Sequence, residues 1–135
     1  MTSTTSQRSI RLEPTSEAVQ TDIAAGGDGI RDAIGCDRFD VVSLEHGIDL
    51  WVDAEGLLVE QPQLNLSATV LAHAMGAATA VFGTAVVLSV EPATGETRGL
   101  SDAQLHRVQQ VLDEPDQQTR TAVARTIGCL LSPRR

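Results

Sequence analysis

The sequence predicts one α+β domain: a small, mainly antiparallel sheet, built from an N-terminal hairpin, a meander and a later strand, packs with helices and is followed by a C-terminal helical extension. Apolar residues alternate with polar ones through most of the first 60 positions, as in half-buried strands, while residues 68–80 and 102–131 repeat them three and four apart, as in amphipathic helices. A chain of 135 residues suits one core, since folding at this size buries roughly two-thirds of the unfolded chain's surface. The expected divisions are a mobile tail over 1–7, the α+β domain over 8–114 and the helical extension over 115–135.

Residues 1–7 are polar and low in complexity, with nothing to bury. Ile10 and Leu12 sit in a short strand, Pro14-Thr15-Ser16 supplies turn chemistry, and Val19, Thr21 and Ile23 alternate as a second strand, so the two form a hairpin. Gly26-Gly27-Asp28-Gly29 is a turn into a short helix over 30–34 that stops at Gly35. No Lys follows that loop, and its glycine spacing fits neither a P-loop nor a dinucleotide fingerprint.

Residues 39–45, 48–53 and 57–59 read as a three-stranded meander, with His46-Gly47 and Asp53-Ala54-Glu55-Gly56 as its reversals. Within 48–53, Ile48, Leu50 and Val52 share one face and Asp49, Trp51 and Asp53 the other. Trp51 is thus either an exposed anchor for a partner or a ring covered by a helix or loop, the commoner fate of a lone aromatic. Asn65 or Ser67 caps a helix over 68–80, residues 84–90 form a buried strand, and Pro92-Ala93-Thr94-Gly95 turns into a return strand near Thr97. Ser101-Asp102-Ala103-Gln104 is a capping box for a helix bearing Leu105, Val108 and Leu112. Glu114-Pro115-Asp116 breaks it, and a last helix to Leu131 carries Val123, Ile127, Leu130 and Leu131 as an apolar stripe before Ser132-Pro133-Arg134-Arg135. The expected core includes Val41, Leu50, Val52, Val70, Val86, Leu88 and Leu105.

The net charge is −8 and every basic residue is Arg. Residues 13–60 hold twelve acids against Arg31 and Arg38, which accounts for the whole excess. Direct nucleic-acid binding needs clustered cations, so this chain is a poor reader of DNA or RNA. The most apolar stretch, 70–90, is interrupted by His73, glycines and threonines, and no membrane anchor is expected. Cys36 and Cys129 are far apart and no secretory leader precedes them, which predicts free thiols and a cytoplasmic protein.

Cys36, His46, His73, His106 and Cys129 lack the paired spacing of a zinc site. There is no nucleophile elbow, and capping accounts for Ser67 and Ser101. The expectation is therefore no catalytic residue, no metal and no cofactor.

The order of pieces carries a further signal in Asp53-Ala54-Glu55-Gly56, Leu64-Asn65-Leu66-Ser67-Ala68-Thr69, Val81-Phe82-Gly83-Thr84-Ala85-Val86-Val87-Leu88 and Leu100-Ser101-Asp102-Ala103-Gln104. Over residues 8–112 the chain resembles the domain-of-unknown-function family 3846, small proteins found largely in phages, plasmids and other mobile elements of Gram-positive bacteria. The resemblance implies an accessory protein and implies no reaction. The chain departs from the pattern at Gly35-Cys36, where members commonly show a glycine pair, and in its helix beyond the domain.

Three functions compete. The first is a non-enzymatic module that binds a protein partner, with Trp51, Asn65, Leu130 and Leu131 as candidate interaction residues and homo-oligomerisation through the C-terminal helix as one version. The second is an acidic mimic of nucleic acid that inhibits a host enzyme, motivated by the charge of 13–60. The third, a small-molecule or nucleotide enzyme, rests on the Gly26 to Gly29 loop and the small residues near Gly76 and Gly83.

Overall fold

A computed structural model describes residues 6–15, 17–56, 58–59 and 61–131. Strands β1 (Ser6–Leu12) and β2 (Val19–Ala24) form the N-terminal hairpin, and α1 (Gly27–Ile34) follows. Strands β3 (Phe39–Ser43) and β4 (Ile48–Asp53) form a second hairpin, and α2 (Leu66–Ala74) leads to β5 (Ala85–Val90) and β6 (Thr97–Arg98). Helices α3 (Asp102–Asp113) and α4 (Gln117–Leu131) complete the chain. The strands make one antiparallel sheet in the order β2-β1-β5-β4-β3, with β6 paired to β5. The fold is α+β, as the sequence predicts.

Side-chain alternation divides the sheet into two apolar faces. Ile10, Leu12, Ile48, Leu50, Ala85 and Val87 face α2 and α3, meeting Leu71, Met75, Leu105 and Val108 in the larger core. Val86 and Leu88 point the other way, where Ile23 and Trp51 join Ile30 and Ile34 of α1. Strand β5 is central and packed on both faces, so residues 85–88 are all buried.

Local chemistry sets the element ends. Asn65 caps α2 and Ser101 with Gln104 forms the capping box of α3. Helix α2 stops at Ala74, six residues short of the expected end. Gly76 takes φ +100°, and the Ala77 N–H returns to the Ala72 carbonyl at 2.8 Å, a Schellman closure that turns the chain out of the helix. His46 and Gly47 both adopt positive φ in the β3–β4 turn.

Other expectations change as well. Ser6 and Gln7 of the expected 1–7 tail belong to β1, where Gln7 is buried and its Nε2 donates to the Thr97 carbonyl at 2.9 Å; residues 1–5 of that tail lie outside the described residues. Of the expected third meander strand, the described residues 58 and 59 are not in a strand. Leu58 and Val59 are exposed, Leu57 lies outside the described residues, and β4 already has β3 on one edge and β5 on the other. Val41 is 45% exposed rather than core, because the register of β3 sends Val42 toward α2 and leaves Val41 on the outer strand's opposite face. Val52 and Val70 are half-buried, while Leu50, Val86, Leu88 and Leu105 are buried as expected. Ser16 of the first turn and residues 132–135 also lie outside the described residues.

The C-terminal helix packs within its own chain. Thr119 and Val123 are buried, and Thr126 meets His73 of α2 with Oγ1 to Nε2 at 2.8 Å.

Candidate functional site at the outer edge of the sheet

The four residues singled out from sequence scatter. Asn65 is fully buried: its Oδ1 accepts from the Ala68 N–H at 3.0 Å, and its Nδ2 donates to the carbonyls of Leu12 and Gly83, both at 2.9 Å. It ties β1, α2 and the lead into β5 together and presents no surface to a partner. Trp51 is half-buried in the smaller core, edge-on to Phe39 with ring centroids 5.1 Å apart. Its Nε1 is buried without a hydrogen-bond partner among the described residues. Leu130 is 50% exposed on α4, and the side chain of Leu131 lies outside the described residues.

Groups with chemical potential are also apart. His73 is engaged on both ring nitrogens, with Nδ1 2.8 Å from the Thr69 carbonyl. Because that carbonyl only accepts, Nδ1 carries a proton, and Nε2 pairs with the Thr126 hydroxyl. His46 sits in the β3–β4 turn and His106 is exposed on α3. Among the described residues, no three His, Cys, Asp or Glu side chains gather as metal ligands. Burial pushes the Cys36 thiol up from its ordinary value, and the carboxylates of Asp53, Asp37 and Glu55 add to that rise against the opposing Arg31.

The glycine loop before α1 has a packing explanation. A Cβ on Gly29 would lie 1.8 Å from the Ala24 carbonyl oxygen, so α1 starts in direct backbone contact with β2. The groove beside it, bounded by Arg11, Asp22 and Asp32, holds 260 Å³. A groove of 140 Å³ runs between Val42, Val52, Gly56 and Phe82. Two larger ones, of 430 and 530 Å³, lie at the two ends of α3: Glu17, Gln20 and Asp113 line the first, and Ser89, Arg98 and Gln104 the second.

The outer edge at β3 is different in kind. Among the described residues β3 pairs only with β4. The Leu44 N–H donates to the Ile48 carbonyl at 2.8 Å and the Ala54 N–H to the Arg38 carbonyl at 3.0 Å. The even-numbered residues of this strand therefore bond inward, and the N–H and C=O groups of Phe39, Val41 and Ser43 point outward. Val41 stands at the middle of that edge, opposite Trp51. Phe39 is held by α1: the Arg31 guanidinium lies 5.1 Å from its ring centroid, and Arg31 Nε donates to the Asp37 carbonyl at 3.1 Å. Where β3 begins, Asp53 opposes Phe39 and also lines a 280 Å³ groove with Cys36, Asp37, Leu58 and Val59. Leu58 is 77% exposed and Val59 52%.

Sequence reading placed Val41 inside and counted residues 57–59 as a strand, so it missed this edge. The signal available was Val41-Val42: two adjacent valines in a strand cannot both face one core.

Comparison with known protein families gives a match to Domain of unknown function (DUF3846) over residues 7–113. The chain belongs to that family. The match ends with α3 and leaves α4 outside it. No curated protein and no solved structure matches the chain.

Proposed function

We propose that this protein is a non-enzymatic module that binds a protein partner through the β3 end of its sheet, as an accessory of a mobile genetic element. The observation that carries the reading is Val41: a β-branched side chain 45% exposed at the centre of a strand whose outer backbone groups are unpaired among the described residues. Natural sheets blunt such edges with charge, proline or a covering element, and an apolar centre is the arrangement an incoming chain uses. The exposed Leu58 and Val59 add apolar surface at the start of the same strand. The accessory role is what the resemblance read from the sequence implies, and the free thiols Cys36 and Cys129 fit a reducing cytoplasm. Direct binding to nucleic acid or to a membrane forms no part of this reading.

The acidic-mimic reading draws less support. A mimic presents its carboxylates as one row, whereas here Asp28 and Asp32 lie on α1, Asp40 projects from the opposite face of the sheet and Asp113 ends α3. The enzyme reading has the grooves near Gly29 and Phe82, where, among the described residues, no nucleophile is hydrogen-bonded to a base.

Affinity capture from host lysate with the full chain, compared with Val41→Asp, tests the proposal. A protein retained by the wild type and lost from the variant is the expected result. Retention of nothing beyond what an unrelated acidic protein retains overturns it.

A further inference from the structure

We infer that the partner segment is an extended, positively charged strand that adds to the outer edge of β3; this rests on the binding-module reading above. Three observations specify the occupant. The outward N–H and C=O groups of Phe39, Val41 and Ser43 require an extended backbone, because only a strand meets them at their spacing. Val41, with Phe39 and Trp51 half-buried on its face, calls for an apolar side chain opposite it.

Charge supplies the third. Asp37 and Asp40 lie beside or on β3, Glu45 follows its end, and Asp53 and Glu55 lie at its start through the pairing with β4. The cations nearby are Arg38 and Arg31, and Arg31 is bound to Asp28 at 3.0 Å. Carboxylates flanking an open ladder attract Lys or Arg on the incoming strand and repel an acidic one. The same charges oppose a second copy: antiparallel self-pairing about Val41 sets Asp37 against Glu45.

The other edge, β2, lacks this combination. Its centre is Gln20, Thr21 and Asp22, only Val19 at its start is an exposed large apolar residue, and α1 is in backbone contact with its end.

Trp51 is the chain's single tryptophan and the register partner of Val41, so its fluorescence reports on the edge. The probe is the capped peptide Arg-Val-Arg-Val-Arg-Val-Arg, with Glu-Val-Glu-Val-Glu-Val-Glu as control. The basic peptide is expected to shift Trp51 emission saturably and to slow amide exchange at Val41 and Ser43. The effect should weaken as salt rises from about 0.05 to about 0.5 M, where screening shortens to a few ångström. Val41→Pro removes one outward N–H at an edge position that tolerates proline, and should weaken binding about tenfold or more with little change in melting. Asp40→Arg, a surface change, should weaken it too.

Equal binding of the acidic peptide, binding untouched by Val41→Pro and Asp40→Arg, or occupation of the edge by a second copy in sedimentation overturns the inference. A lysate partner retained equally by wild type and Val41→Pro also overturns strand addition but leaves the binding-module reading standing. Failure to retain any partner removes both.

Discussion

His73 of α2 and Thr126 of α4 share a hydrogen bond of 2.8 Å that joins the family domain to the helix beyond it. Around that bond α4 is thinly held: of its described side chains only Thr119 and Val123 are buried. Thr126→Val should cost about 1 kcal/mol, the net worth of one hydrogen bond, and should speed amide exchange in α4 while leaving β4 and β5 unchanged. Equal protection of α4 in both proteins would show that the bond does not hold the helix.

Asn65 predicts a larger effect. Replacement by alanine removes the α2 cap and leaves the Leu12 and Gly83 carbonyls without their donor, a combined loss of about 2–4 kcal/mol. Asn65→Asp keeps the capping oxygen but loses both donated bonds and buries a charge, so it should destabilise as well. Denaturant midpoints check the pair; a stable aspartate variant would mean that the cap alone matters.

Val86 is fully buried between β1 and β4 on the α1 face. Val86→Asp should cost several kcal/mol through an unpaired ion held out of water, and a variant that melts like the wild type would contradict the packing of α1 on the sheet.

Asp49 gives a pH dependence. It is buried opposite Leu88, and that burial raises its carboxyl above the ordinary range. A carboxyl with a raised folded pKa binds its proton more tightly in the native state. The resulting penalty is absent below the unfolded pKa, grows as pH rises toward the folded pKa and persists above it. Asp49→Asn should therefore stabilise the protein at neutral pH, and the gain should shrink near pH 3. A variant whose advantage is the same at both pH values would show that charge is not the cause.

Elements whose signals lie within a few residues were legible from sequence: both hairpins, the stop at Gly35, the capping box at Ser101 and Gln104, and the break at Pro115. The candidate site was not. Alternation put Trp51 on the face opposite Leu50, yet nothing nearby in the chain said that Phe39 and α1 would cover it. Asn65 read as a cap from its neighbours, but its donated bonds reach Leu12 and Gly83, 53 and 18 residues away.

Val41 and residues 57–59 mark the boundary between the two kinds of information. The sequence by itself determined most of the strands and helices and which of their side chains share a face, because those follow from local geometry and capping. Only the tertiary structure decided which strand is outermost. β5 arrives from more than thirty residues downstream to take the second edge of β4. That pairing denies Leu58 and Val59 a place beside β4 and, among the described residues, leaves the outward groups of β3 open.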